Sequence, residues 1–504
     1  MLAQIPCAAL VGVEAVPVTV EVSVERGLPC FLVVGLPDAA VRESRDRVAA
    51  ALRHARLEFP AARVTVNLAP ADLRKEGTWY DLAIALGVLA ASRQIPDRRL
   101  SERCVLGELS LDGRVRSVRG VLAVALAAAS RRAGLLVPHE NAAEARAVGE
   151  VDALAVRDLA EAVAWAKGRD PESVTTTVPT PQEPESDGAL DTIRGQETAK
   201  RALLIAATGG HGILFIGPPG TGKTMLARAL PSLLPPLARA QSLEVSRIHS
   251  VAGALPPGAG VFTRPPFRAP HLSASAAGLL GGGSPFRPGE LSLAHEGVLF
   301  LDELPEFSRS VLESLRQPLE SGEIVLVRAR GSVRLPARVQ LVAAMNPCPC
   351  GLLGHPRRAC RCSPSEVARY RRRVSGPLLE RIDLVVDVPV EPTGIQRLWQ
   401  PTGEVAGAAR ERVARARAFG AGRGMATNAR IEAQHLPTIA RLDSAAERLL
   451  TDAAARWSLS ARAVHRTLRV ARSVADLARH EELSAEAVAE ALSFRHETLR
   501  ATES

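Results

Sequence analysis

The stretch Gly212-Ile213-Leu214-Phe215-Ile216-Gly217-Pro218-Pro219-Gly220-Thr221-Gly222-Lys223-Thr224-Met225-Leu226-Ala227-Arg228-Ala229-Leu230 sets the architecture of the core. Ile213 to Ile216 read as a short buried strand, and Met225 to Leu230 as the first turns of a helix. Between them, Gly217 to Thr224 fit the G-x-x-x-x-G-K-[ST] pattern at every fixed position. The glycines let backbone N–H groups turn inward onto phosphates, and the helix N-terminus adds a favourable dipole. Lys223 then reaches the β and γ phosphates and Thr224 holds Mg²⁺, so the stretch predicts a site for ATP with its metal.

Further along the chain, Gly297-Val-Leu-Phe-Leu-Asp302-Glu303 is an apolar strand ending in two acids. In phosphoryl transfer, where positioning and charge neutralisation do most of the work, Asp302 orders Mg²⁺ and Glu303 polarises the attacking water. Leu341 to Asn346 is a further buried strand ending in an amide, placed to sense the γ-phosphate or the water. The segment Leu190 to Leu203, a polar turn and then a helix, resembles the part of AAA+ ATPases that packs near the adenine. The expected class is α/β, an AAA+ P-loop core with a C-terminal helical lid.

The whole chain has 504 residues, enough for about two to four domains. Lys and Arg number 63 against 54 Asp and Glu, a net charge of +9 that permits a polyanionic partner without requiring one. The first ten residues lack a basic n-region and a continuous apolar core, and no apolar run reaches about 18 residues. The expectation is a cytoplasmic protein with no membrane segment. Seven cysteines, four of them between 348 and 362, do not make a secreted disulfide framework.

Residues 1–168 alternate Val-rich runs (16–24, 31–34, 63–68) with Ala-rich helical stretches (41–55, 81–91, 121–132), an α/β unit of its own. Gly35-Leu-Pro-Asp38, Val64 to Asp72 and Lys75-Glu-Gly-Thr-Trp-Tyr-Asp-Leu82 resemble the N-terminal domain of the magnesium-chelatase-like ComM/YifB family. That domain is similar to the Lon protease domain, of the ribosomal S5 domain 2-like type. The match puts Trp79 where Lon has its serine and Leu122 where it has its lysine, so the dyad that peptide hydrolysis needs is absent. Thr78 and Ser117 have no base nearby in sequence. A scaffold role follows, in ring assembly or in nucleic acid contact through Arg114, Arg116 and Arg119. Residues 169–188 gather Pro, Thr, Ser and Glu and read as a linker.

Within the core, 189–390, an insert at 247–293 resembles that of magnesium-chelatase and ComM-like ATPases. Its Gly and Pro content predicts a mobile hairpin in which Arg264, Arg268, His271 and Arg287 alternate with Phe262, Phe267 and Phe286. One reading makes it a pore loop that grips a phosphate backbone; the other packs the aromatics inside the domain. A second insert, 347–374, opens with Cys348-Pro-Cys350 and Cys360-Arg-Cys362. Thiolates so clustered point to tetrahedral Zn²⁺, with unliganded thiols or a redox or Fe–S role as alternatives. Arg371, Arg372 and Arg373 close a run of seven arginines that faces either nucleic acid phosphates or an acidic neighbour.

The resemblance to ComM/YifB covers nearly the whole chain. It implies that Arg381, in Leu378-Leu-Glu-Arg-Ile-Asp-Leu384, is an arginine finger acting on the adjacent subunit's nucleotide. It also implies that Arg462 is the sensor 2 arginine, with Arg466 and Arg469 as competitors for that role. The lid, 391–504, is read as helices over 405–419, 444–457, 461–480 and 485–494, with Ser460 and Ser484 as N-caps. The family implies a homo-hexameric, DNA-stimulated ATPase acting on single-stranded or branched DNA, with branch migration of recombination intermediates in natural transformation as its setting. A chelatase-type protein-remodelling motor and an ATP-dependent protease are the rival classes.

Overall fold

The computed structural model describes residues 1–169, 189–256, 258, 260–283, 286–328, 331–390, 406–424 and 427–495. Most of the linker expected at 169–188 lies outside them. The core is a five-stranded parallel sheet in the order Phe267–Arg268, Val298–Leu301, Gln340–Met345, Ile213–Ile216, Leu384–Asp387. Alternation along these strands sorts their side chains to two faces. Ile213, Phe215, Val298, Phe300, Val342, Ala344, Leu384 and Val386 enter one apolar core, which they share with the helix Glu197–Gly209 and the lid. Leu214, Leu299, Leu301, Leu341, Ala343, Met345 and Val385 enter the other. Both faces are covered, which is why the strands read as unbroken apolar runs. The strand Ile213–Ile216 sits where the strand order reverses, and ligands bind outside the carboxyl ends of such strands.

The lid helices Ala406–Ala421, Ser444–Arg456, Ala461–Ala478 and Ala485–Ser493 cover the first face. Ser460 and Ser484 cap the last two by accepting from Ala463 N and Ala487 N, and Asp443 caps the second. The Val385 N–H donates to the Phe494 carbonyl at 2.8 Å, which ties the lid to the edge strand.

The N-terminal unit holds a four-stranded sheet ordered Leu2–Val11, Glu14–Glu25, Arg63–Ala69, Cys30–Val34, of which only the last pair is parallel. The wholly buried helix Asp81–Ala91 backs it. The single helix expected over 41–55 is two, Ala39–Arg42 and Ser44–His54, broken at Glu43. This unit is docked on the core rather than tethered beside it. Val13 lies in the second apolar core, Arg247 pairs with Glu14 at 2.7 Å, and buried Glu144 accepts from the Ser250 hydroxyl. Burial holds the Glu144 carboxyl above the usual carboxylate range, partly offset by the Ser250, Leu122 and Asn141 hydrogen bonds.

Candidate active site

The phosphate loop leaves the end of Ile213–Ile216 and enters the helix Lys223–Leu233. Gly220 and Gly222 take φ of 80° and 90°, where a side chain would be strained. A Cβ on Gly217 would run into the Val388 carbonyl. Lys223 Nζ donates to Gly217 O (2.6 Å), Pro218 O (2.8 Å) and Asn346 Oδ1 (3.2 Å). Thr224 Oγ1 donates to Asp302 Oδ2 at 2.9 Å. Four residues picked out on separate strand ends therefore meet: Lys223 and Thr224 from the loop, Asp302 and Asn346 from the neighbouring strands. Burial lowers the Lys223 ammonium from its ordinary value, and Asp302 and Glu303 pull it back up.

Glu303 is exposed and holds a left-handed φ of 49°, uncommon for a side-chain-bearing residue. Its N–H donates to Asp302 Oδ1 (2.9 Å), and its carbonyl accepts from Glu306 N (2.8 Å). The turn therefore aims the carboxylate outward. Behind it, Tyr370 is buried, and desolvation pushes its hydroxyl up to about 12.

Arg381 and Arg462 are elsewhere. Arg381 precedes the Leu384–Asp387 strand, whose register with Ile213–Ile216 is parallel. It thus stands at the amino edge of the sheet, about 13 Å of strand away from the carboxyl edge that carries the phosphate loop. Its guanidinium pairs with Glu320 and donates to the Pro377 carbonyl at 2.7 Å. Arg462 reaches the same Glu320 at 3.8 Å and is 72% exposed. Arg466 and Arg469 instead donate to the carbonyls of Glu380 and Ile431. All three border, with Arg381, a cleft of about 630 Å³.

The insert departs from the expected mobile hairpin. Phe267–Arg268 is an edge strand of the main sheet, and Phe267 stacks on Phe300 with centroids 6.0 Å apart. Phe262 lies 4.3 Å from the His249 ring. Arg268, expected on DNA, makes a two-point pair with Glu290 at 2.6 and 2.7 Å, so its charge is already matched. Arg264 is half-buried. Among the described residues of the insert, a hairpin survives only at Gly281–Gly282 with Arg287–Pro288. Two-residue strands carry no periodicity, and composition alone pointed to a loop.

The cysteines converge: Cys348, Cys350 and Cys360 have Sγ atoms 3.5 to 3.6 Å apart, and all four Sγ lie within 4.8 Å of one another. Four thiolates about 2.3 Å from one Zn²⁺ stand about 3.8 Å apart, so the cluster fits that ion. The Leu353 and Cys362 N–H groups donate to Cys348 and Cys360 sulfurs. The same loop abuts the phosphate loop, since a Cβ on Gly351 would stand 2.7 Å from Pro219.

Of the adjoining arginines, Arg371 is half-buried and turns back to the Pro347 carbonyl at 3.4 Å, which removes it from the face expected to meet phosphates. Arg373 pairs with Glu306 at 2.8 Å, and Arg372 is exposed. In the N-terminal unit, Trp79 and Leu122 are buried in the fold, and the Thr78 hydroxyl donates to Glu108. Arg119 lies against Gly253 of the core, in the interface between the two units.

Sequence reasoning missed Glu320, Glu306, Tyr370 and the hairpin Glu323–Arg328 with Gly331–Pro336. The hairpin alone had a signal, an alternating apolar pattern around Gly331. It also missed a buried chain in which His211 Nδ1 meets Asp383 Oδ2 (2.9 Å) and Nε2 meets Ser473 Oγ (2.8 Å), linking the phosphate-loop strand, the Arg381 turn and the lid. No helix among the described residues is long and apolar enough to cross a membrane.

Residues 189–395 match the family model described as magnesium chelatase, subunit ChlI; 20–141 match subunit ChlI of Mg-chelatase, and 403–495 its C-terminal part. The chain is 42% identical over 499 residues to the competence protein ComM of Haemophilus influenzae, covering 98% of this chain and 97% of that one. It is 41% identical over 490 residues to YifB of Escherichia coli, covering 97% and 96%. The magnesium-chelatase 38 kDa subunit of Rhodobacter capsulatus is 32% identical over 197 residues, 34% of this chain and 56% of that one.

Proposed function

The chain belongs to the ComM/YifB family of magnesium-chelatase-like AAA+ ATPases, and we propose that it is an ATP-driven homo-hexameric motor acting on single-stranded or branched DNA. The observation that carries this reading is the division of the machinery between the two edges of one sheet. Lys223, Thr224, Asp302 and Asn346 meet at the carboxyl edge, while Arg381 and Arg462 stand at the amino edge. A finger about 13 Å of strand away serves no nucleotide of its own chain. It serves that of the next chain, which is the geometry of a ring.

When ATP binds, Lys223 leaves the loop carbonyls for the β and γ phosphates, and Thr224 and Asp302 hold the metal. A Mg²⁺ held by Thr224 and Asp302 would offset the negative charge that builds up in phosphoryl transfer. Glu303 orients the attacking water, Asn346 reports on the γ-phosphate, and the neighbour's Arg381 stabilises the charge that develops, with Arg462 beside it. Cys348, Cys350, Cys360 and Cys362 would hold a structural Zn²⁺ that fixes the loop abutting Pro219.

Branched recombination intermediates of natural transformation are the substrate class that the family implies, and the competence protein among the relatives agrees with DNA as the polymer. The cysteine cluster has no evident role in the rival, a protein-remodelling motor of chelatase type. Steady-state ATPase assays with single-stranded, duplex and four-way-junction DNA test the proposal. Stimulation by single-stranded or branched DNA supports it, and a rate unmoved by any DNA at low salt overturns it.

A further inference from the structure

Beside the catalytic turn lies a cleft of about 360 Å³ lined by Pro305, Glu306, Phe307, Arg309, Arg369, Arg372 and Arg373. Four guanidinium groups and one carboxylate line it, with Glu313 and Glu366 near Arg309 and Arg369. Arg373 pairs with Glu306 at 2.8 Å, with side chains 53% and 44% exposed. A pair so open to water is weak, and a phosphate, which guanidinium forks bind in two-point fashion, competes well for Arg373. Glu306 is part of the catalytic turn. Its N–H donates to the Glu303 carbonyl at 2.8 Å, and Glu303 holds a strained φ of 49°. Strain of that kind persists only while the surroundings maintain it. Arg373 grips the far end of this turn.

We propose that the pocket of Arg309, Arg369, Arg372 and Arg373 takes a backbone phosphate of single-stranded DNA, and that this phosphate draws Arg373 from Glu306 and frees the Glu303 turn for hydrolysis. The inference rests on the DNA-motor reading and adds to it the contact by which DNA raises the ATPase rate. Until DNA arrives, Glu306 occupies Arg373 and holds the turn in its resting form. The pocket differs from the run of arginines read in the sequence, because Arg309 joins it and Arg371 does not.

The test uses the full-length chain, a thymidine oligonucleotide and two variants that break the same pair from opposite sides. Both Glu306→Gln and Arg373→Gln raise the DNA-free ATPase rate about two- to fivefold, the span that an exposed ion pair is worth. Their DNA affinities move in opposite directions. Glu306→Gln binds the oligonucleotide more tightly than the parent, having lost the competing carboxylate. Arg373→Gln binds more weakly, and its plot of log affinity against log salt flattens by about one ion. A merely structural pair would move both affinities the same way, which overturns the proposal. An unchanged DNA-free rate in Glu306→Gln, with a parent that DNA still stimulates, overturns the latch and leaves the functional reading standing. A parent that DNA does not stimulate overturns both. DNA affinities that are equal in the parent and both variants place the phosphate elsewhere, and also overturn it.

Discussion

At the carboxyl edge of the central sheet the polar side chains find one another: Lys223 meets Asn346, and Thr224 meets Asp302. At the amino edge, Arg381 and Arg462 share one acid, Glu320, a residue of no evident chemistry. One edge is a site that lacks its last cation, and the other holds cations that lack a site. The shared glutamate keeps Arg381 in position and costs little to displace, since its own side chain is 60% exposed. On the proposed reading, a single chain carries two half-sites and hydrolysis belongs to the contact between chains.

Removing the first half does the most damage. Lys223→Ala takes ATP hydrolysis to background and abolishes nucleotide binding, because no other cation among the loop residues faces the phosphates; a variant that retains measurable turnover contradicts the division between the edges. Arg381→Ala lowers kcat by about 10³-fold and leaves the affinity for a fluorescent ATP analogue nearly unchanged, since the residue touches nothing at the carboxyl edge. An affinity loss as large as the rate loss would place Arg381 in its own chain's site. Loss of the thiol cluster is next. Metal analysis is expected to find one zinc per chain, and Cys350→Ser with Cys360→Ser removes it and lowers the thermal midpoint by several degrees. Through the Gly351 contact with Pro219 it also weakens ATP binding, whereas zinc-free parent protein of full stability argues against a structural metal. A smaller effect is expected in the insert, where Phe267→Ala costs about 3 kcal/mol of stability and leaves DNA affinity alone. A loss of about 1–3 kcal/mol in DNA affinity would return Phe267 to the pore as a stacking platform.

The two edges also differ in how they answer pH. Burial lowers the Lys223 ammonium from its ordinary value, so its charged form is disfavoured and the proton is lost as pH rises, before an ordinary lysine would lose it. Arg381 stays charged throughout that range. ATP affinity therefore declines toward alkaline pH, while the ratio of parent to Arg381→Ala rates at saturating ATP stays flat. A ratio that falls with pH, or an affinity that holds up to the ordinary lysine range, contradicts this assignment.

Much of the carboxyl edge is legible in the sequence alone. Glycine spacing, an apolar strand and a following helix mark the phosphate loop because each is a local demand of the backbone. Asp302 and Asn346 announce themselves as polar residues that stop apolar runs. The partners of the arginines are not legible, because Arg381 pairs with Glu320 across 61 positions and Arg373 with Glu306 across 67, and nothing in either acid's neighbours marks it. The insert misleads for the opposite reason. Its glycines and prolines are real turn signals, and they conceal a two-residue strand, Phe267–Arg268, that tertiary packing against Phe300 holds in the sheet. The N-terminal strand Leu2–Val11 is hidden as well, since its alanines and Pro6 mask a ten-residue pairing with Glu14–Glu25.

The decisive test mixes two inactive chains. Glu303→Gln retains Arg381 but lacks the carboxylate that orients water; Arg381→Ala retains a complete carboxyl edge but lacks the finger. If hydrolysis occurs between chains, the equimolar mixture recovers ATPase activity well above the sum of the two variants alone, because intact halves meet at some contacts. A mixture whose rate equals that sum at every ratio and concentration contradicts the shared site.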